Sequence, residues 1–204
     1  MGIEINALLE KSLSALKGKW GLPILAFFIY SVLLGGSGIF KTPGSLIALI
    51  LGGPFTLGAA SFSLAFVRGE EVQLSKIFSG FDRFITALGA YLLIIVYVIL
   101  WTLLLIVPGI IAALSYSMTF YILSDTPNIK VVDALERSKQ MMEGYKWKLF
   151  YLYLHYLLLS VLCLLTLGIG FLWLIPFIHI TNANFYEAIK NSREMEMSGS
   201  LDRV

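Results

Sequence analysis

The sequence predicts an all-α membrane protein: a six-transmembrane-helix bundle of three hairpins, with two interfacial amphipathic helices on its cytoplasmic face. Three observations predict it. Of 204 residues, 58% are hydrophobic and only 14% charged, with mean hydropathy +0.83, whereas soluble domains carry roughly 25% charged residues. Residues 84–123 contain no Asp, Glu, Lys, Arg or His, and about forty such residues are twice what a bilayer crossing needs. With six spans and an inner N-terminus, every Lys and Arg except Lys41 falls in an inner segment. The positive-inside rule then puts both termini in the cytoplasm.

Residues 1–20 open with an amphipathic helix over 3–19. At 100° per residue Ile5, Leu8, Leu9, Ser12, Leu13, Ala15 and Leu16 share one side, and Glu4, Glu10, Lys11 and Lys17 the other. Such a helix lies either in the membrane interface, with Trp20 marking the entry, or on the protein's own inner face. This mixed-charge lead is unlike a secretory signal, so the apolar run that follows is expected to be retained.

The first span is expected over 21–34, ending in Gly35-Gly36-Ser37-Gly38, and the second over 45–67. Gly53 and Pro54 should kink the second span or mark a re-entrant break. Gly58, Ala59, Ala60 and Ser61 then offer small residues for close helix contact. A polar stretch over 68–83 leads into the central hairpin, 84–107 and 109–123, turning at Pro108-Gly109.

Residues 125–146 are a second, cytoplasmic amphipathic helix. Asp125-Thr126-Pro127-Asn128 signals its start, and Val131, Val132, Ala134, Leu135, Ser138, Met141 and Met142 form its apolar side. Lys146-Trp147-Lys148 opens a fifth span, 147–166, which turns at Gly168 and Gly170. The sixth, 171–189, contains Pro176. Residues 1–190 thus form a single polytopic domain, with 191–204 a polar tail lacking an evident fold. Gly18-Lys19-Trp20, Gly80-Phe81-Asp82-Arg83-Phe84 and Gly144-Tyr145-Lys146-Trp147 each precede a hairpin. That recurrence reflects either duplication or apolar low complexity.

Over nearly its whole length the chain resembles the bacterial integral membrane family called domain of unknown function 975. The resemblance rests on Gly53-Pro54 with Leu57-Gly58, Arg68-Gly69-Glu70, Ile77-Phe78-Ser79-Gly80-Phe81 and Pro108-Gly109-Ile110-Ile111. It continues through Ala113-Leu114-Ser115-Tyr116-Ser117-Met118, Ser138-Lys139, Leu165-Thr166-Leu167-Gly168-Ile169-Gly170 and Leu172-Trp173-Leu174-Ile175-Pro176. It implies a bacterial cytoplasmic membrane protein and brings no activity with it. The layout also looks like the membrane portion of some glycerophosphodiester phosphodiesterases, at the level of fold alone.

No His-Glu-x-x-His, Cys-x-x-Cys, P-loop or Gly-x-Ser-x-Gly occurs, and Cys163 alone forms no intramolecular disulfide. No catalytic, metal or cofactor site is expected. His155 and His179 fall at similar depths in the last two spans. With Tyr151, Asn182 and Tyr186 they form either an intramembrane polar site or plain hydrogen bonds between helices. Ser115, Ser117 and Thr119 either bond back to the preceding turn or face a ligand. The Arg68-Gly69-Glu70-Glu71 segment is a docking surface or a solvated turn. Lys17, Lys19, Arg83, Lys130, Lys146 and Lys148 should favour anionic headgroups at the inner interface. Spread along a membrane plane, they do not suit nucleic acid.

The expected role is therefore non-enzymatic: binding or organising lipids, or a partner membrane protein or second copy, at the inner leaflet. The alternative is a small transporter with its polar site between the fifth and sixth helices.

Overall fold

The computed structural model describes residues 4–35 and 43–201, so the loop around Lys41 lies outside it. Among the described residues the order is α1 (Ile5–Leu16), α2 (Gly21–Gly35), α3 (Pro43–Val67) and a 3₁₀ segment (Leu74–Arg83). Then come α4 (Phe84–Leu104), α5 (Ile106–Tyr116), α6 (Thr119–Asp125), α7 (Val131–Met141), α8 (Lys146–Leu165) and α9 (Phe171–Leu201). The fold is all-helical.

Three short elements each precede a helical hairpin: α1 before α2–α3, the 3₁₀ segment before α4–α5, and α7 before α8–α9. Gly18 and Gly144 follow α1 and α7 in the left-handed region, at φ 77° and 80°, where a residue without Cβ turns the chain without strain. The α1-to-α2 bend is 101°. Each short element then packs at the base of the bundle: α1 on α9, the 3₁₀ segment on α3, and α7 on α4, α5 and α6.

Among the described residues four stretches are long and apolar enough to cross a membrane: Ala48–Val67, Leu74–Leu104, Ile106–Asp125 and Lys146–Leu165. The bent pair α1–α2 makes up to a fifth. The described part of α2 has 15 residues, or about 22 Å at 1.5 Å per residue. Helix α9 is too polar to qualify, and much of its first two thirds is enclosed by protein. Ile180, Thr181, Ala183, Asn184, Phe185, Tyr186 and Ile189 are all buried, so protein neighbours rather than lipid set its composition.

Burial is uneven. Side chains at the bundle base are enclosed, while the tips of the second and third hairpins are bare: Leu103 is 84% exposed, Leu165 78% and Leu167 94%. The short elements are why. Leu8, Ser12 and Leu16 of α1 are buried, as are Ala134, Leu135 and Ser138 of α7. These sides of α1 and α7 thus cover protein, while Leu13 and Val132, also expected on the apolar sides, stay exposed.

Several expected boundaries move. Gly53 and Pro54 do not break the second span; α3 is continuous through them. They serve packing instead: a Cβ on Gly53 would meet the Ala87 carbonyl oxygen at 2.6 Å, and one on Gly52 the Tyr91 ring at 2.8 Å. Further along, Gly58 and Gly80 bring α3 and the 3₁₀ segment together backbone to backbone. The central hairpin turns at Leu105, which is extended (φ −162°, ψ 146°), and not at Pro108-Gly109. Pro108 lies in the first turn of α5, where an absent N–H costs nothing, and Gly109 lets the backbone approach Thr102. Gly168 (φ 86°) and Gly170 do form the expected last turn, beside Leu167 at φ 53°. Pro176 lies inside a continuous α9. That helix carries the supposedly unstructured tail on to Leu201, held where Arg193 donates to the Gln140 and Glu143 carbonyls at 3.2 and 2.8 Å.

The fourth expected span is interrupted between α5 and α6. There the buried Ser138 of α7 donates to the Ser115 carbonyl at 2.8 Å and accepts from the Met118 N–H at 3.2 Å. One hydroxyl satisfies two backbone groups freed by the break. Ser138→Ala should therefore destabilise the protein by about 1–3 kcal/mol, the cost of stranding buried polar groups. A thermal unfolding midpoint equal to wild type in detergent would refute that role.

Candidate functional site

The ends of α3 and α6 meet the middle of α9 in a cluster of charges. Arg68 follows Val67 directly, Asp125 ends α6, and Glu187 and Lys190 lie one turn apart on α9. Arg68 pairs with Asp125 at 2.6 Å and Glu187 at 2.7 Å, and Lys190 with Asp125 at 2.6 Å. Tyr186 donates its hydroxyl to the same Asp125 carboxylate at 3.0 Å. Burial disfavours the Arg68 cation, but its hydrogen bonds to Asp125 and Glu187 outweigh that and raise its pKa. With its charges paired, the cluster ties three helices together. Close by, Ser124 of α6 donates to Ser61 of α3 at 2.8 Å.

The five residues of the expected polar site make separate contacts. His179 stacks on Phe27 with centroids 4.3 Å apart and meets Tyr30 edge-on at 5.7 Å, so it faces α2. Asn182 accepts from Tyr156 at 3.2 Å, while Tyr186 belongs to the charge cluster. Tyr151 is exposed and His155 half-buried on α8. Helices α8 and α9 do pack together, with Tyr156 to Asn182 a hydrogen bond between them. Ser115, Ser117 and Thr119 bond back to the carbonyls of Ile111, Leu114 and Tyr116 at 2.7, 2.7 and 2.8 Å. In the Arg68–Glu71 segment, Arg68 belongs to the cluster and Glu70 pairs with Lys76 at 3.2 Å.

Of the basic residues, Lys17, Lys19 and Lys130 are exposed, and Lys146 and Lys148 half-buried. Lys148 sits 5.5 Å from the Tyr145 ring centroid. Arg83 is engaged inside the protein, donating to the Leu123 and Pro127 carbonyls at 2.7 and 3.1 Å. There it caps the C-terminus of α6, where a cation suits the helix dipole.

Beside this base a recess of about 530 Å³ opens between α5 and the start of α8, lined by Val107, Ile110, Leu114, Lys146, Trp147 and Phe150. A second recess, of about 300 Å³, shares Ile111 and Lys146 with it and adds Trp101, Tyr116 and Lys139. The combination is apolar walls with lysines from two helices. Sequence reasoning found Lys146 but not Lys139, which reads as one more charge on a solvated face. It also took Asp125 for a helix-start signal, although a carboxylate closing so long an apolar stretch is a cue for a partnered charge.

Among the described residues, no group of three or more His, Cys, Asp or Glu side chains is placed to hold a metal. No curated protein and no solved structure matches the chain. Family comparison matches residues 3–115 and 103–193 to the family described as "Protein of unknown function (DUF975)". The two matches take in nearly all of both halves, and the chain belongs to that family.

Proposed function

We propose that this protein resides in the bacterial cytoplasmic membrane as six spans with both termini inside, and that it binds and organises anionic lipid at the inner leaflet without catalysis. The observation that carries the reading is the contrast between the two ends of the bundle. Bare apolar side chains on α4 and α8, up to the turns of the second and third hairpins, suit a bilayer core, with the turns themselves at its outer surface. The opposite end is wrapped by three short polar-faced elements bearing exposed Lys17, Lys130 and Lys139, a distribution suited to anionic headgroups. Helices α8 and α9 do not gather their polar groups into one cavity, which favours this reading over transport.

Native mass spectrometry of the protein extracted from its own membrane tests it. Retained anionic phospholipid, in excess of its share of that membrane, is the expected result. A retained polar solute, lost in His179→Ala, would overturn the reading in favour of transport. A stoichiometric protein partner or second copy with no lipid enrichment would overturn it in favour of a protein-organising role.

A further inference from the structure

We infer that the recess between α5 and α8 is a binding site for a single anionic phospholipid, with an acyl chain along Ile110, Leu114 and Phe150 and the phosphate between Lys139 and Lys146. This rests on the membrane placement proposed above and names the site through which lipid is selected.

Size, chemistry and charge agree on the occupant. The recess of about 530 Å³ falls within the ~300–1,000 Å³ of small-molecule sites. Its walls are apolar apart from Lys146, which also borders the adjoining recess beside Lys139. No carboxylate lines either recess. Among the described residues the structure records four salt bridges, all within Arg68, Lys76, Lys190 and their acids. Lys139 and Lys146 are not among them and present positive charge at the edge of a greasy slot. Trp147, 80% exposed, stands at that edge, as amphipathic rings do at headgroup level.

The chain supplies its own comparison. A recess of equal volume lies at the corresponding turn of the first unit, beside Gly18 and Lys19, but Glu70 and Glu71 also line it. There the lysine faces two carboxylates and an anion is disfavoured. The selective site is the one beside α8.

The test uses the full-length chain with Trp147 as sole tryptophan (Trp20, Trp101 and Trp173 replaced by Phe) in phosphatidylcholine vesicles. Dibrominated phosphatidylglycerol or dibrominated phosphatidylcholine is the quencher. The anionic lipid should be preferred at Trp147 on the order of tenfold, the scale expected of two basic side chains near a membrane surface. Lys139→Gln with Lys146→Gln should bring the preference close to one, and Lys17→Gln with Lys19→Gln should leave it intact. Equal quenching by both lipids in the parent overturns the site. So does a preference that survives the first pair of substitutions, or one lost equally with the second. Retention of anionic lipid in mass spectrometry, unaltered by the first pair, would overturn this site while leaving the broader reading in place; absence of enrichment would remove both.

Discussion

Gly58→Ala is expected to destabilise the fold by about 3 kcal/mol or more, at the upper end of overpacking costs. A Cβ at Gly58 would overlap the carbonyl oxygen and carbon of Ile77, and one at Gly80 would overlap the Pro54 carbonyl oxygen. These are backbone contacts, so no flexible side chain can move aside. The 3₁₀ segment would have to lift from α3, uncovering Ile77 and Phe62, which are 1% and 0% exposed. Gly21→Ala is the matched control: its Cβ would meet nothing within 4 Å, and alanine favours a helix. Detergent-solubilised thermal unfolding, with yield of monodisperse protein as a second readout, compares the two. A Gly58→Ala protein as stable as Gly21→Ala would show that the close approach is not required.

Asp125→Ala should cost about 2–3 kcal/mol, the range of charge-assisted hydrogen bonds and broken, partly buried pairs. The carboxylate receives Arg68, Lys190 and Tyr186 at once, and its side chain is only 14% exposed. Removing it leaves Lys190 without its salt-bridge partner beside buried Tyr186, while Arg68 keeps Glu187. The groups act as a unit, so Asp125→Ala combined with Lys190→Met should cost clearly less than the sum of the single changes. Strict additivity in a double-mutant cycle would contradict the cluster. Loss of stability should appear as separation of α6 from α3 and α9, read as faster amide exchange at 119–125.

How much of this was legible in the sequence depends on which force placed each residue. The all-helical class was legible because apolar runs leave the backbone little choice. Pairing of α1 and α7 with the hairpins that follow was legible from Gly18 and Gly144, which prove geometrically alike; the 3₁₀ segment, which reads only as a polar stretch, was not. The Gly53-Pro54 and Gly58 motif was visible, but its meaning was not. Glycine and proline read locally as breakers, whereas here a neighbouring backbone lies against the glycines, a tertiary fact without local signature. Ser12 and Ser138 sit on otherwise apolar faces, and that anomaly was the available clue to docking. Ser12 accepts from Asn184 of α9 at 3.0 Å, as Ser138 bridges the α5–α6 break. The two histidines drew attention as ionisable groups in apolar runs, yet His179 stacks on Phe27 and meets Tyr30 edge-on, both on α2. The charge cluster escaped because its members, Arg68, Asp125 and Glu187, are 57 and 62 positions apart, and only folding brings them together.

The proposal as a whole depends on which side of the membrane the wrapped base faces. Single-cysteine labelling in intact cells tests this directly. Cys163→Ser provides the cysteine-free parent, and one cysteine is placed at Leu167 in the last hairpin tip or at Gln140 on exposed α7. The account predicts that a membrane-impermeant maleimide labels Leu167→Cys from outside and reaches Gln140→Cys only after the membrane is opened. Labelling of Gln140→Cys in sealed cells, with Leu167→Cys protected, would invert the topology and contradict an inner-leaflet role.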